Sequence, residues 1–213
     1  MTETKAVSAG PAHSDVAAGF CFYDHGPLVD GELELVKPSD RFVEDLLISC
    51  THPATRSGDP EHGSTTRHEI EKFLAANPDG HIIADPVKGN VPVYHFWLRL
   101  SPQSRPAVPM AGTVSLRVGD SSDLKIYFGQ VGYNVFPPAR GHHYAERACR
   151  LLFPLARHHG LRPLWITTDP DNAPSRRTCE RLGGMMIEVV DVPPGHILYA
   201  RGQRRKCRYR IDI

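Results

Sequence analysis

The chain has 213 residues, a formal net charge of +1, and 40% hydrophobic and 23% charged residues. This is enough apolar material for one domain with a real core, and it leaves no global field to draw in nucleic acid or acidic lipid. No run of 18 apolar residues is present to span a membrane. The five scattered cysteines (Cys21, Cys50, Cys149, Cys179, Cys207) contain no C-x-x-C pair and argue for free thiols in a reducing, cytoplasmic compartment.

Residues 1–19 are biased to Ala, Ser and Gly and lack a basic stretch followed by an apolar one, so they read as a flexible tail and not a secretory signal. Residues 20–213 read as a single domain. Residues 20–28 are a short extended piece, and the alternation at 32–36 predicts a strand. Pro38-Ser39-Asp40 opens a helix to about Cys50, with Phe42, Leu46 and Leu47 on one face. Residues 51–65 are loop by composition. Thr66-Arg67-His68-Glu69 is a capping-box pattern before Ile70, Phe73 and Leu74, so a second helix is expected to about Ala76.

Residues 81–85 suggest a short strand and 86–90 a turn. Strands are expected at 91–100, rich in aromatic and branched residues, and at 111–118. Residues 124–136 read as one long strand interrupted at Gly129 and Gly132. A helix at 141–159 sets Ala145, Ala148, Cys149, Leu152, Leu155 and Ala156 on one face, and Gly160 ends it. A buried strand at 164–168, a helix at about 174–182 and strands at 186–192, 197–201 and 205–213 complete the chain. The fold class is therefore mixed α/β, a mostly antiparallel meander feeding one β-α-β unit.

The organising stretch is 132–156, where a strand passes through a Pro-rich turn and Arg140-Gly141 into the amphipathic helix. Free N–H groups and the positive end of a helix dipole make such a start a ready anion site. A helical first turn has negative φ, so a glycine there is expected to serve clearance and not dihedrals.

These residues resemble the GCN5-related N-acetyltransferase (GNAT) superfamily over roughly 30–213, and within it the small bacterial acetyltransferases that end in a basic-aromatic strand. Arg140-Gly141-His142-His143-Tyr144-Ala145 is similar to the acyl-CoA signature Arg/Gln-x-x-Gly-x-Gly/Ala, with His143 in the central glycine place. Asn172 to Gly183 is similar to the segment N-x-x-[AS]-x-x-x-Y-E-[KR]-L-G, with Cys179 where relatives carry a tyrosine that protonates the departing thiolate. The resemblance implies a mostly antiparallel central sheet of six to seven strands, a β-α-β acyl-CoA-binding core and helices on both faces. It also implies acetyl-CoA as co-substrate, without a metal. The twelve histidines show no ligand spacing that argues otherwise.

The pyrophosphate would lie on Arg140, Gly141, His142, His143, Tyr144 and Ala145. The pantetheine would lie along Tyr133, Asn134 and Val135, with Asn172 and Ser175 contacting the arm or the far end. An alkyl amine with a pKa near 10.4 must lose a proton before it attacks the thioester, at a cost of roughly 4–5 kcal/mol at pH 7. A base or a water relay is expected. The strand has no glutamate near Gly129 for this, which leaves Tyr127, Gln130 and Tyr133 to hold a water, with Cys179 as a candidate proton donor. The acceptor would be a small-molecule or peptide amine, and the family allows a homodimer. Two other readings stand beside this one. One is an acyl-CoA binder with little transfer, suggested by His143 and Cys179. The other is a nucleic-acid or partner-binding module using the basic run Arg201, Arg204, Arg205, Lys206, Arg208 and Arg210, for which a strand with one solvated basic face is the plainer account.

Overall fold

The computed structural model describes residues 20–84 and 90–213. The tail at 1–19 and most of the turn expected at 86–90 lie outside these residues, as does the last residue of the strand expected at 81–85. Of that strand, an isolated antiparallel bridge between Ile82 and Val93 is described.

Five strands form one antiparallel sheet in the order β1-β2-β3-β4-β5: β1 Leu28–Asp30, β2 Leu33–Val36, β3 Val93–Leu100, β4 Met110–Arg117 and β5 Val131–Val135. A second sheet holds β6 Leu164–Thr168, β8 Arg205–Ile211 and β7 Met185–Asp191 in the order β6-β8-β7. The mixed α/β class and the mostly antiparallel sheet are as expected; against the six to seven strands expected, the described residues form eight, in two sheets divided at β5 and β6.

The period-2 alternation of β3 explains why both faces of the larger sheet are covered. Tyr94, Phe96 and Leu98 turn to one face and pack with Ala148, Cys149, Leu152, Leu155 and Ala156 of α5 (Tyr144–His158), the stripe seen in the sequence. Trp97 turns to the other and joins Phe42, Val43, Leu46 and Cys50 of the α1 region and Ile70 of α4. Here α1 is Val43–Thr51, after a 3-10 turn at Asp40–Phe42, and α4 is Arg67–Ala76. Both arms of the expected capping box are formed, Glu69 N to Thr66 Oγ1 at 3.3 Å and Thr66 N to Glu69 Oε2 at 2.8 Å.

Three local expectations are corrected. The stretch 51–65 is not loop: α2 (Pro53–Gly58) and α3 (Pro60–Gly63) form there because His52 and Asp59 cap helices whose first residue is proline. Residues 124–136 are not one strand: Leu124–Phe128 is a π-helical turn, and β5 begins only after Gly129. Gly129 has φ +72, and a Cβ on it would meet Thr167 N at 2.8 Å, so this glycine lets the turn press against β6. The strand expected at 197–201 is a single helical turn, α7 (Ile197–Ala200), capped by the His196 side chain, which accepts from Leu198 N. Between β6 and β7 lies α6 (Ala173–Arg181), as expected.

Strand β8 carries four of the six basic residues of the run in the middle of the smaller sheet, and three of those four are paired. Lys206 bonds Asp169 at 2.7 Å, Arg208 pairs with Glu188 and lies over the Trp165 ring, and Arg210 pairs with Asp212.

Candidate active site

The site is built where the two sheets part. At the root, Gln130 N donates to Trp165 O at 2.7 Å, and Trp165 N donates to the Gln130 side-chain Oε1 at 2.9 Å. The other end of that amide donates to Gly119 O at 2.9 Å, so both side-chain polar atoms of buried Gln130 are engaged. Beyond this point β5 hydrogen-bonds to β4 alone and β6 to β8. The far edge of β5 is therefore an unpaired row of backbone donors and acceptors, a template for an extended ligand.

A cleft of about 290 Å³ opens along that edge. It is lined by Tyr133, Asn134 and Val135 of β5, Arg140 and Ala145 of the turn and α5, and Asn172, Pro174, Ser175 and Thr178 of the α6 segment. Seven sequence-predicted binding residues thus share one wall; Pro174 and Thr178 were not singled out, since nothing marks them but adjacency to Ser175 and a spacing of three from it. Arg140 Nε donates to Val135 O at 3.0 Å, which folds the guanidinium over the strand end. Asn172 caps α6 through Ser175 N at 3.1 Å.

The His143 side chain does not cap α5, so the first-turn N–H groups face outward with the dipole behind them. The turn that delivers them overturns the dihedral expectation. Gly141 has φ +92, and His143, the residue before α5, sits in the left-handed region with φ 58. The motif position therefore calls for glycine on dihedral grounds, and a histidine there holds a conformation that costs about 1–2 kcal/mol. Its ring accepts at Nδ1 from Arg181 Nη1 at 2.6 Å. His142 and Tyr144 do not line the cleft. Their rings stack at 5.4 Å and border a separate hollow with Glu32, Leu100 and Arg105.

The floor is polar. Tyr133 Oη lies 2.9 Å from Ser175 Oγ and 4.0 Å from Cys179 Sγ. Burial pushes the phenol far above its ordinary range, and the neighbouring thiols add to this. Cys179 is fully buried, and burial pushes its thiol up to about 12. Tyr127 is not on β5; it lies in the π-helical turn with its ring 4.7 Å from His196.

Against Asn134, on the side of α2 and α3, stand two residues that the sequence reading left in a loop. Asn134 Nδ2 lies 2.7 Å from Asp59 Oδ2, and Asp59 Oδ1 lies 3.0 Å from His62 Nδ1. The paired His-Pro and Asp-Pro steps at 52–53 and 59–60 are the signal that these residues belong to helix starts.

Residues 32–185 match the family model described as the acetyltransferase (GNAT) domain. Similar solved structures include the Microcin C7 self-immunity acetyltransferase MccE in complex with acetyl-CoA and AMP, at 16% identity, 86% of this chain and 94% of that one, TM-score 0.57. An acetyltransferase of the GNAT family from Bacillus anthracis aligns at 18% identity, 87% and 98% coverage, TM-score 0.58. An acetyltransferase from Salmonella typhimurium that modifies the N-terminal serine of ribosomal protein L7/L12 aligns at 14% identity, 86% and 96%, TM-score 0.54. At these identities the likeness is one of fold. No curated protein matches the chain.

Proposed function

The chain belongs to the GNAT acetyltransferase family, and from that premise we propose that it moves an acetyl group from acetyl-CoA to a primary amine of a small molecule or peptide. The observation that carries this is the cleft itself. The free edge of β5, Arg140, the uncapped start of α5 and the Asn172–Ser175 turn converge on one opening. Pantetheine would extend along Tyr133, Asn134 and Val135, and the pyrophosphate would sit at the α5 start beside Arg140. The amine attacks the thioester carbonyl directly, through a tetrahedral intermediate whose oxyanion a β5 N–H would stabilise.

The three sequence-predicted catalytic residues receive different roles. Tyr133, kept neutral by burial, donates a hydrogen bond to the departing sulfur more readily than it gives up its proton. Cys179, with a thiol pushed up to about 12 and 0% exposed, fills the floor beneath it. Gln130 holds the splay open. The acyl-CoA-binding reading without efficient transfer is favoured by one observation, the strained His143 at the phosphate turn.

Calorimetry with acetyl-CoA, followed by release of CoA thiol across a panel of primary amines, tests the reading. Binding in the micromolar range that Arg140→Glu weakens tenfold or more is expected. No binding by the wild type sinks it, and binding without release for any amine leaves the binder reading.

A further inference from the structure

The short helices α2 and α3 bring an aspartate and a histidine to β5, and hydrogen-bond chemistry fixes what they can do. Burial works to raise the Asp59 carboxyl, but the hydrogen bonds from Asn134 and His62 outweigh it and hold the group below its ordinary range. An ionised carboxylate only accepts, so His62 Nδ1 carries a proton and donates to Oδ1, while Asn134 Nδ2 donates to Oδ2. The 3.1 Å approach of Asn134 Nδ2 to His62 Nδ1 follows from two donors sharing one carboxylate. The lone pair of the neutral ring is then on Nε2. Among the described residues Nε2 has no hydrogen-bond partner. The side chain is 33% exposed, with the ring 5.8 Å from Phe136. Asn134, one hydrogen bond away, lines the cleft between Tyr133 and Val135.

We propose that His62 is the base that takes the proton from the acceptor's ammonium group, with Asp59 as the positioning residue that fixes its tautomer and Asn134 tying the pair to β5. This rests on the acetyl-transfer reading above and supplies the base that β5 lacks. His62 Nε2 takes one ammonium proton and returns it to solvent. The freed nitrogen lone pair forms the C–N bond as the C–S bond breaks, and a second nitrogen proton goes to the departing sulfur. The plainer account is that Asp59 only caps α3, accepting from His62 N at 3.4 Å. A cap needs neither the imidazole nor Asn134. The other titratable groups around the pair are Cys50 of α1, whose thiol burial pushes up to about 11, and the exposed Arg56 of α2 and Glu61 of α3, with His52 at the start of α2.

The test measures acetyl-CoA affinity by calorimetry and CoA release with a short peptide bearing a free α-amino group, and with water alone as acceptor. His62→Gln is expected to bind acetyl-CoA as the wild type does and to lose about 10²–10⁴-fold in kcat. Added imidazole is expected to return His62→Ala at least tenfold, which no capping role would produce. Asp59→Asn keeps an acceptor for the cap, and an unchanged melting temperature with a reduced rate separates positioning from folding. A wild type that does not bind acetyl-CoA sinks the transferase reading itself. A wild type that binds acetyl-CoA and releases no CoA to the peptide leaves the binder reading and takes the base assignment with it. The base assignment alone is overturned if the wild type releases CoA and His62→Gln keeps its kcat, or if imidazole leaves His62→Ala unchanged.

Discussion

Gln130 and Trp165 grip each other twice, once through backbone N–H to backbone O at 2.7 Å and once through the Gln130 side-chain carbonyl at 2.9 Å. The side chain supplies the acceptor that a continuing strand would otherwise supply, so pairing ends here and β5 and β6 separate. Gln130→Ala strands the Trp165 N–H and the Gly119 carbonyl in a part-buried setting and is expected to cost about 2–6 kcal/mol, at 1–3 per orphaned group. Urea unfolding checks this. A loss below 1 kcal/mol would mean that water replaces the amide and that the splay does not depend on it.

Tyr133 and Cys179 touch across the cleft floor, and their chemistry divides them. A phenol pushed above its ordinary 10 by burial stays protonated throughout neutral and mildly alkaline solution. Activity is therefore expected not to decline as pH passes through 10, where an exposed tyrosine titrates. Tyr133→Phe is expected to lower kcat about 10²-fold, as removal of a transition-state hydrogen-bond donor does, with acetyl-CoA affinity nearly unchanged. Cys179→Ala is expected to stay within a few-fold of the wild type. If the two variants lose activity equally, the thiol shares the donor's work.

His143 holds a left-handed backbone with φ 58 that glycine adopts freely. His143→Gly is expected to raise stability by about 1 kcal/mol, or a melting temperature by about 2–4 °C for a chain of this size. His143→Ala removes the same Arg181 contact but keeps the strain, and it is expected to gain nothing. Equal melting temperatures for the two variants would show that the backbone stores no strain there.

Much of this architecture was legible because its signals are local. The stripe of α5, the capping box at Thr66 and Glu69, and the Asn172 cap each follow from spacing within a turn or two. The cleft wall was legible because a family pattern placed residues 133–135, 140 and 172–175 together. What escaped was set by distant partners. Gly129 breaks a strand-like sequence because Thr167 presses on it from β6. Asp59 and His62 stand against β5 because Asn134, 75 and 72 positions away, reaches them. No periodicity within 51–65 encodes that contact.

The His81 side chain shows how the aromatic face of the larger sheet should respond to acid. It is 2% exposed, sits 4.8–5.3 Å from the rings of Phe22, Tyr94 and Phe96, and its Nε2 has no partner among the described residues. Burial, with a smaller effect of Lys37, lowers its pKa from 6.5 to about 4. The folded state therefore binds fewer protons than the unfolded chain between those values, so stability rises with pH across that window and is lost as pH falls through it. The same burial lowers His95 to about 4, so both histidines act over the same range. His81→Leu is expected to flatten part of the decline between pH 6.5 and 4, leaving the share due to His95. Urea midpoints at half-unit pH steps measure it. A variant whose midpoints fall as steeply as those of the wild type would show that His81 is already protonated in the fold or reaches water there.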